Sequence, residues 1–379
     1  MKFLHLSDLH LGRRLCELDL FEDQAHILAQ CVEMASQNQV DGVLVAGDVY
    51  DRNVPTVGAV NLLDEFLSQL NQLNILVYLI SGNHDSADRL GFGSRLLASR
   101  GVYLASSFEG RLEHYQLEDE HGTLHLWALP FIRPSMVRSQ WPQEQIDDYT
   151  QAVEVVIRHA QLDPSARNVL MAHQFVTASG RCPETCDSES LSLGTLDHVE
   201  AGVFDGFDYV ALGHLHGPQQ VGRPQVRYSG SPLAYSVSEV HHKKSAVLVE
   251  FGPKGQVECK QLPFAPLRPL RQLKGPLEQL LEHAQPSGDY IHAILTDEQP
   301  PLNAAPRLRS VYPNLVKLDF APKAREQNAS SRRWQKNIHS TSPLELFGAF
   351  YESVHHRPMN AQEQTVMEQV FEELKGEEQ

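Results

Sequence analysis

With 379 residues, 41% of them hydrophobic and 21% charged, the chain has the composition of a folded globular protein of roughly two to three domains, not of a disordered or membrane-embedded one. No apolar run approaches the roughly 20 residues of a membrane-spanning helix. Its 48 acidic and 32 basic residues give a net charge of −16, which argues against a protein that binds nucleic acid tightly by itself, although bound cations or a basic partner can reverse the local field.

The N-terminal apolar stretch is interrupted by His5, Asp8 and His10, so it predicts a buried strand and not a signal peptide. Short apolar runs over 3–7, 42–46 and 75–81 predict strands, and residues 21–37 and 57–70 carry apolar side chains at helical spacing. That alternation predicts an α/β sheet with helices on its faces. From about residue 101 the chain turns β-rich, with strands over 124–129, 169–173 and 209–212. Strands around 226–229, 245–251 and 257–261 are expected to form a second sheet packed on the first, giving a two-sheet sandwich over residues 1–265.

The proline-rich run 263–269 marks a boundary, because proline interrupts both ladders and helices. Beyond it a helix over 277–283, a strand over 290–295, a helix over 305–311 and a strand over 315–320 predict a small α/β cap at 266–321. Residues 322–342 read as a basic linker, with Arg325, Arg332, Arg333 and Lys336 around Trp334. Two amphipathic helices follow at about 343–355 and 361–375, separated near Pro358. Leu346, Phe347, Phe350, Val366, Met367, Val370, Phe371 and Leu374 give them apolar faces suited to docking on a partner.

Five scattered cysteines suggest no disulfide framework, and a reducing cytoplasm is the expected setting. Cys182 and Cys186 are close in sequence but lack the further ligands of a structural zinc, so they read as loop thiols.

The chemistry lies at the strand ends. Asp8 and His10 close the first strand, two residues apart and so on one side of the sheet. Asp48 follows the second strand after Gly47, and Asn83, His84 and Asp85 follow the third after Gly82. His173 ends the 169–172 run, and His214 and His216 follow the 209–212 run after Gly213. Open α/β sheets place their sites just past the carboxyl ends of strands. Carboxylate, imidazole and amide oxygen together suit a pair of Mn²⁺, Fe²⁺ or Zn²⁺ ions, which clamp the attacking and leaving oxygens of a phosphate displacement when about 3.5–4 Å apart. A lone histidine usually fills a structural role. Seven ligand-type residues, all at strand ends, point to a metal site.

The series Asp8-x-His10, Gly47-Asp48, Gly82-Asn83-His84-Asp85, His173 and Gly213-His214-x-His216 resembles the signature of calcineurin-like metallophosphoesterases. The opening Phe3–Gly12 segment, Gly47–Asp51 and Tyr228-Ser229-Gly230-Ser231-Pro232 resemble in particular the nuclease subunits of bacterial DNA-repair complexes. The resemblance implies one ion on Asp8, His10 and His216, another on Asn83, His173 and His214, and Asp48 between them. It gives His84 a non-ligand role in stabilising the transition state or protonating the leaving oxygen. Asp85 either orients that imidazole or caps a helix. It further implies Mn²⁺ as the metal, hydrolysis by activated water without a covalent enzyme intermediate, and DNA as substrate. A coiled-coil ATPase with an ABC-type head is the implied partner, with a homodimer inside a heterotetramer and no membrane. A phosphatase or nucleotide phosphodiesterase on the same core is the alternative, although it would not need the terminal helix pair. A metal-free scaffold is disfavoured by the intact ligand set.

Overall fold

The structure, a computed structural model, describes residues 1–189 and 198–321 and scattered positions between 347 and 367. Residues 1–320 form one compact unit and 321–379 another.

Two six-stranded sheets organise the first unit. In the first, Lys2–Leu6, Gly42–Ala46, Leu76–Ile80 and Val102–Ala105 run parallel. In the second, Gly122–Leu129, Arg167–His173, Tyr209–Gly213 and Arg223–Tyr228 run parallel, flanked by antiparallel Glu113–Asp119 and Gln219–Val221. The central strands of both are buried on both faces, as their unbroken apolar runs require. Phe3, Leu44, Tyr78, Leu126, Met171 and Tyr209 fill the layer between the sheets. The outer face of the first sheet is covered by helices Phe21–Gln37 and Val57–Gln72, that of the second by Pro134–Gln140 and Tyr149–Ala160.

The sandwich is as expected, but the allocation of its strands is not. Arg223–Tyr228 joins the second sheet, whereas Ser245–Phe251 returns to the first, pairing antiparallel with Lys2–Leu6 (Leu4 opposite Leu248), and Val257–Pro263 pairs beyond it. Val247, Val249 and Phe251 face the layer between the sheets. Ala246 and Leu248, on its other face, pack into the core under the first sheet's helices; a strand apolar on both faces fits either sheet, so periodicity could not choose. Tyr149–Ala160 was also not anticipated. Its buried Val153, Val155 and Val156 are β-branched, a strand-like signal, yet Asp148 caps its first turn by accepting from the Gln151 N–H at 2.8 Å.

The cap is a three-stranded parallel sheet of Leu270–Gly275, Tyr290–Leu295 and Leu315–Phe320, with helices Leu277–Glu282 and Ala304–Arg309. It has its own core around Leu277, Ile291, Leu295 and Leu308. Arg268 ties it to the first helix by pairing with Asp23 at 2.7 Å, and the Tyr290 hydroxyl donates to the same carboxylate at 2.7 Å.

The basic linker expected at 322–342 lies outside the described residues, as do most positions of the two expected terminal helices. Of the latter, Phe347, Gly348, Tyr351, Glu363, Gln364 and Met367 are described and helical. Arg357 and Tyr351 both reach the Glu363 carboxylate, each at 2.7 Å. No helix among the described residues is long and apolar enough to cross a membrane.

Candidate metal centre

The parallel strands of each sheet deliver their carboxyl ends to one place. Backbone N–H groups lace the loops together there: Asp8 donates to Gly47 at 3.0 Å and His10 to Asp48 at 2.9 Å. Asp8, His10, Asp48 and His214 all adopt positive φ, a conformation L-residues hold only when the surroundings enforce it. Close approach explains two of the glycines. A Cβ on Gly213 would lie 1.8 Å from the Ala46 carbonyl oxygen, and one on Gly82 would lie 2.0 Å from Asp48 Oδ1.

All seven expected ligands come together. The Nε2 atoms of His10 and His216 are 3.1 Å apart, and Asp8 lies with them in one cluster of ligand atoms. Asn83 Oδ1 sits 3.0 Å from His173 Nε2 and 3.0 Å from His214 Nδ1. Asp48 Oδ2 is 3.5 Å from His10 Nε2 and 3.4 Å from His173 Nε2, so one oxygen stands between the two groups. His173 donates from Nδ1 to the Ala46 carbonyl at 2.8 Å, which aims Nε2 into the cluster, where a bound metal would displace its proton. Lone pairs facing lone pairs in a buried site are unfavourable unless a cation joins them, and the donor set fits divalent transition metals.

Burial sets most of the local acidities. It pushes the Asp8 carboxyl up to about 6 and the His214 imidazole down to about 3, and it lowers His10 as well. Neutral imidazole is the ligating form. Burial also works against the charged forms of Asp48 and His173, but their mutual attraction outweighs it, holding Asp48 well below the usual carboxylate range and lifting His173 to about 9.

His84 lies at the edge of the cluster, its ring 4.9 Å from that of His10 and its Nδ1 3.0 Å from the Asp51 carbonyl. Asp85 requires a correction. Its carboxylate accepts the backbone N–H groups of Val49 (3.0 Å), Tyr50 (2.8 Å) and Gly82 (2.9 Å), so it braces the loops carrying Asp48 and Asn83 instead of orienting His84. Nor does it cap a helix: the following short helix has Ser86 at its N-cap position.

Several supporting residues escaped the sequence reading. Ser188 contacts His216, Glu239 lies behind Ser188, and Glu189 accepts the His216 N–H at 2.7 Å. Ser188 and Glu189 sit in a loop, where no periodicity marks them; Glu239 ends a short 3₁₀ turn, and its capping box with Ser236 is a signal the sequence carries. That motif abuts the site, since Ser229 Oγ is 2.8 Å from Ser7 Oγ, Ser7 donates to Asp8, and Ser231 N donates to the His216 carbonyl at 3.1 Å. Cys186 is a free thiol 3.1 Å from Ser188 Oγ, and Cys182 is an exposed one.

Comparison with known proteins agrees with this geometry. Residues 1–218 match the calcineurin-like phosphoesterase family, and residues 266–355 match the family described as type 5 capsule protein repressor C-terminal domain. The chain belongs to the calcineurin-like phosphoesterases and is a metal-dependent hydrolase. Within them it falls in the SbcD family of nuclease subunits. It is 33% identical over 325 residues to the SbcD subunit of the nuclease SbcCD from Staphylococcus epidermidis (strain ATCC 12228 / FDA PCI 1200), covering 84% of this chain and 85% of that one. Among solved structures, a dimetal phosphatase from Danio rerio aligns with 69% of this chain and 95% of its own, at 12% identity and a TM-score of 0.39.

Proposed function

We propose that the chain cleaves DNA phosphodiesters with two divalent cations, Mn²⁺ foremost, as the nuclease partner of an SbcC-type coiled-coil ATPase in DNA repair and recombination. The carrying observation is the convergence of Asp8, His10, Asp48, Asn83, His173, His214 and His216 from both sheets into one buried cluster. Asp8, His10 and His216 would hold one ion, Asn83, His173 and His214 the other, with Asp48 shared. Such a pair supplies a nucleophile from water at neutral pH and neutralises charge on the phosphate. The protein's own part is to hold this geometry and, through His84, to stabilise the transition state or protonate the leaving oxygen.

DNA as substrate is supported by membership of the SbcD family. A net charge of −16 means that much of the phosphate contact must come from the ions and the partner. The expected activities are exonuclease on double-stranded ends and endonuclease on single-stranded or hairpin DNA, in a heterotetramer holding two copies of this chain.

A gel assay with Mn²⁺ on linear, hairpin and single-stranded DNA, run beside a small phosphodiester and a phosphomonoester, tests the reading. Cleavage of DNA is expected. Turnover of the small esters with every DNA substrate untouched would favour a phosphatase or nucleotide phosphodiesterase instead.

A further inference from the structure

His216 uses its two ring nitrogens differently. Nε2 faces His10, while Nδ1 lies 2.7 Å from the Ser188 hydroxyl oxygen. That oxygen is in turn 2.6 Å from Glu239 Oε1. A serine hydroxyl has one proton to give, so the direction of the chain depends on what Glu239 can do. Its Oε1 also accepts the Tyr235 N–H at 3.0 Å and the Ser236 N–H at 2.9 Å, and its Oε2 accepts from the Lys244 ammonium at 2.5 Å. Both oxygens of this carboxylate, 1% exposed, are met by donors, which makes Glu239 an acceptor only. Ser188 must therefore donate to it, leaving its lone pairs to accept a proton from His216 Nδ1.

We propose that Ser188 is a positioning residue, linking Glu239 to His216 so that the imidazole keeps its proton on Nδ1 and presents the Nε2 lone pair to the ion. This rests on the reading of His216 as a metal ligand. A ring free to carry its proton on Nε2 would have no lone pair there to offer. The segment around Ser188 is anchored independently of the hydroxyl: Arg13 donates to the Ser188 carbonyl at 3.0 Å, and the Asp187 N–H to Ser238 Oγ at 3.0 Å. Ser188→Ala thus removes the relay and leaves its frame.

Nitrogen-15 NMR of the imidazoles in the metal-free full-length chain reads the tautomer directly. The expected wild-type spectrum has the His216 proton on Nδ1, and a wild-type proton on Nε2 would overturn the proposal without any variant. In Ser188→Ala the proton should spread to Nε2, and titration with Mn²⁺ alone should show one site weakened by about 10–100-fold, the other unchanged. A Ser188→Ala protein with the wild-type tautomer and Mn²⁺ affinity would also overturn it, even if its thermal stability had dropped. His216→Ala separates the two levels. If that variant still binds two ions tightly, the ligand reading itself fails; if it loses one while Ser188→Ala behaves as wild type, only the positioning role fails.

Discussion

Asp85 and His84 are neighbours in the chain, and their side chains are put to different uses. Asp85 satisfies three backbone N–H groups of two metal-site loops, whereas His84 stands beside the cluster with its ring edge toward His10. His84→Ala is therefore expected to retain both ions while kcat falls by about 10²–10⁴, the effect of one positioned acid or electrostatic group. Elemental analysis and single-turnover rates check this together, and loss of an ion would make His84 a ligand. At this scale the seven clustered residues were legible because each lies at the end of a strand, where residue type and position carry the same message. Asp85's true partners were not, because backbone N–H groups from Val49 and Tyr50 meet it only after the chain has folded. Ser188 and Glu239 were hidden for the same reason, lying 51 residues apart in the sequence.

At the scale of elements, the end of the sandwich opposite the Asp and His cluster is closed by charge. Arg167, its side chain 5% exposed, forks onto Asp119 at 2.6 and 3.0 Å, and the N-terminal ammonium meets the same carboxylate at 3.1 Å. These contacts join the edge hairpin Glu113–Leu129 to the strand Arg167–His173 and to the start of the chain. The hydrogen bond from Arg167, with help from the His121 N–H and the N-terminus and against burial, holds the Asp119 carboxyl well below its usual range. A carboxyl depressed by folding stabilises the native state fully above its unfolded value of about 3.9, and that contribution is lost as pH falls from there through the folded value. Asp119→Asn should cost about 3–5 kcal/mol at neutral pH, because it leaves a buried guanidinium without its charge partner. It should also flatten the dependence of stability on pH below about 4. Urea unfolding at several pH values measures both, and an unchanged acid limb would show that the pair is not coupled to folding. The strands with unbroken apolar runs were legible at this scale, and Ser245–Phe251 was not assignable to a sheet because a strand apolar on both faces fits either.

The whole molecule divides into a compact unit, 1–320, and a second, 321–379. Every proposed ligand and both supporting loops belong to the first. Removing residues 322–379 is expected to leave folding, ion content and hydrolysis of a small diester as they are, while abolishing co-purification with the ATPase and ATP-stimulated cleavage of DNA ends. Full-stoichiometry co-purification of the shortened chain would contradict a docking role for the terminal helices, which at this length are marginal alone in water. The helices and strands between 277 and 320 were legible from the hydrophobic period. The partner came from the family resemblance alone, since a docking face records only that something apolar must cover it.

The central claim is that two ions share Asp48. Metal content and activity of Asp48→Asn, measured on one preparation beside wild type, test it most directly. Wild type should hold two tightly bound Mn²⁺ per chain, and the variant should be a folded protein that holds at most one and is inactive on both DNA and a small diester. An Asp48→Asn protein that holds two ions and cleaves at the wild-type rate would contradict it.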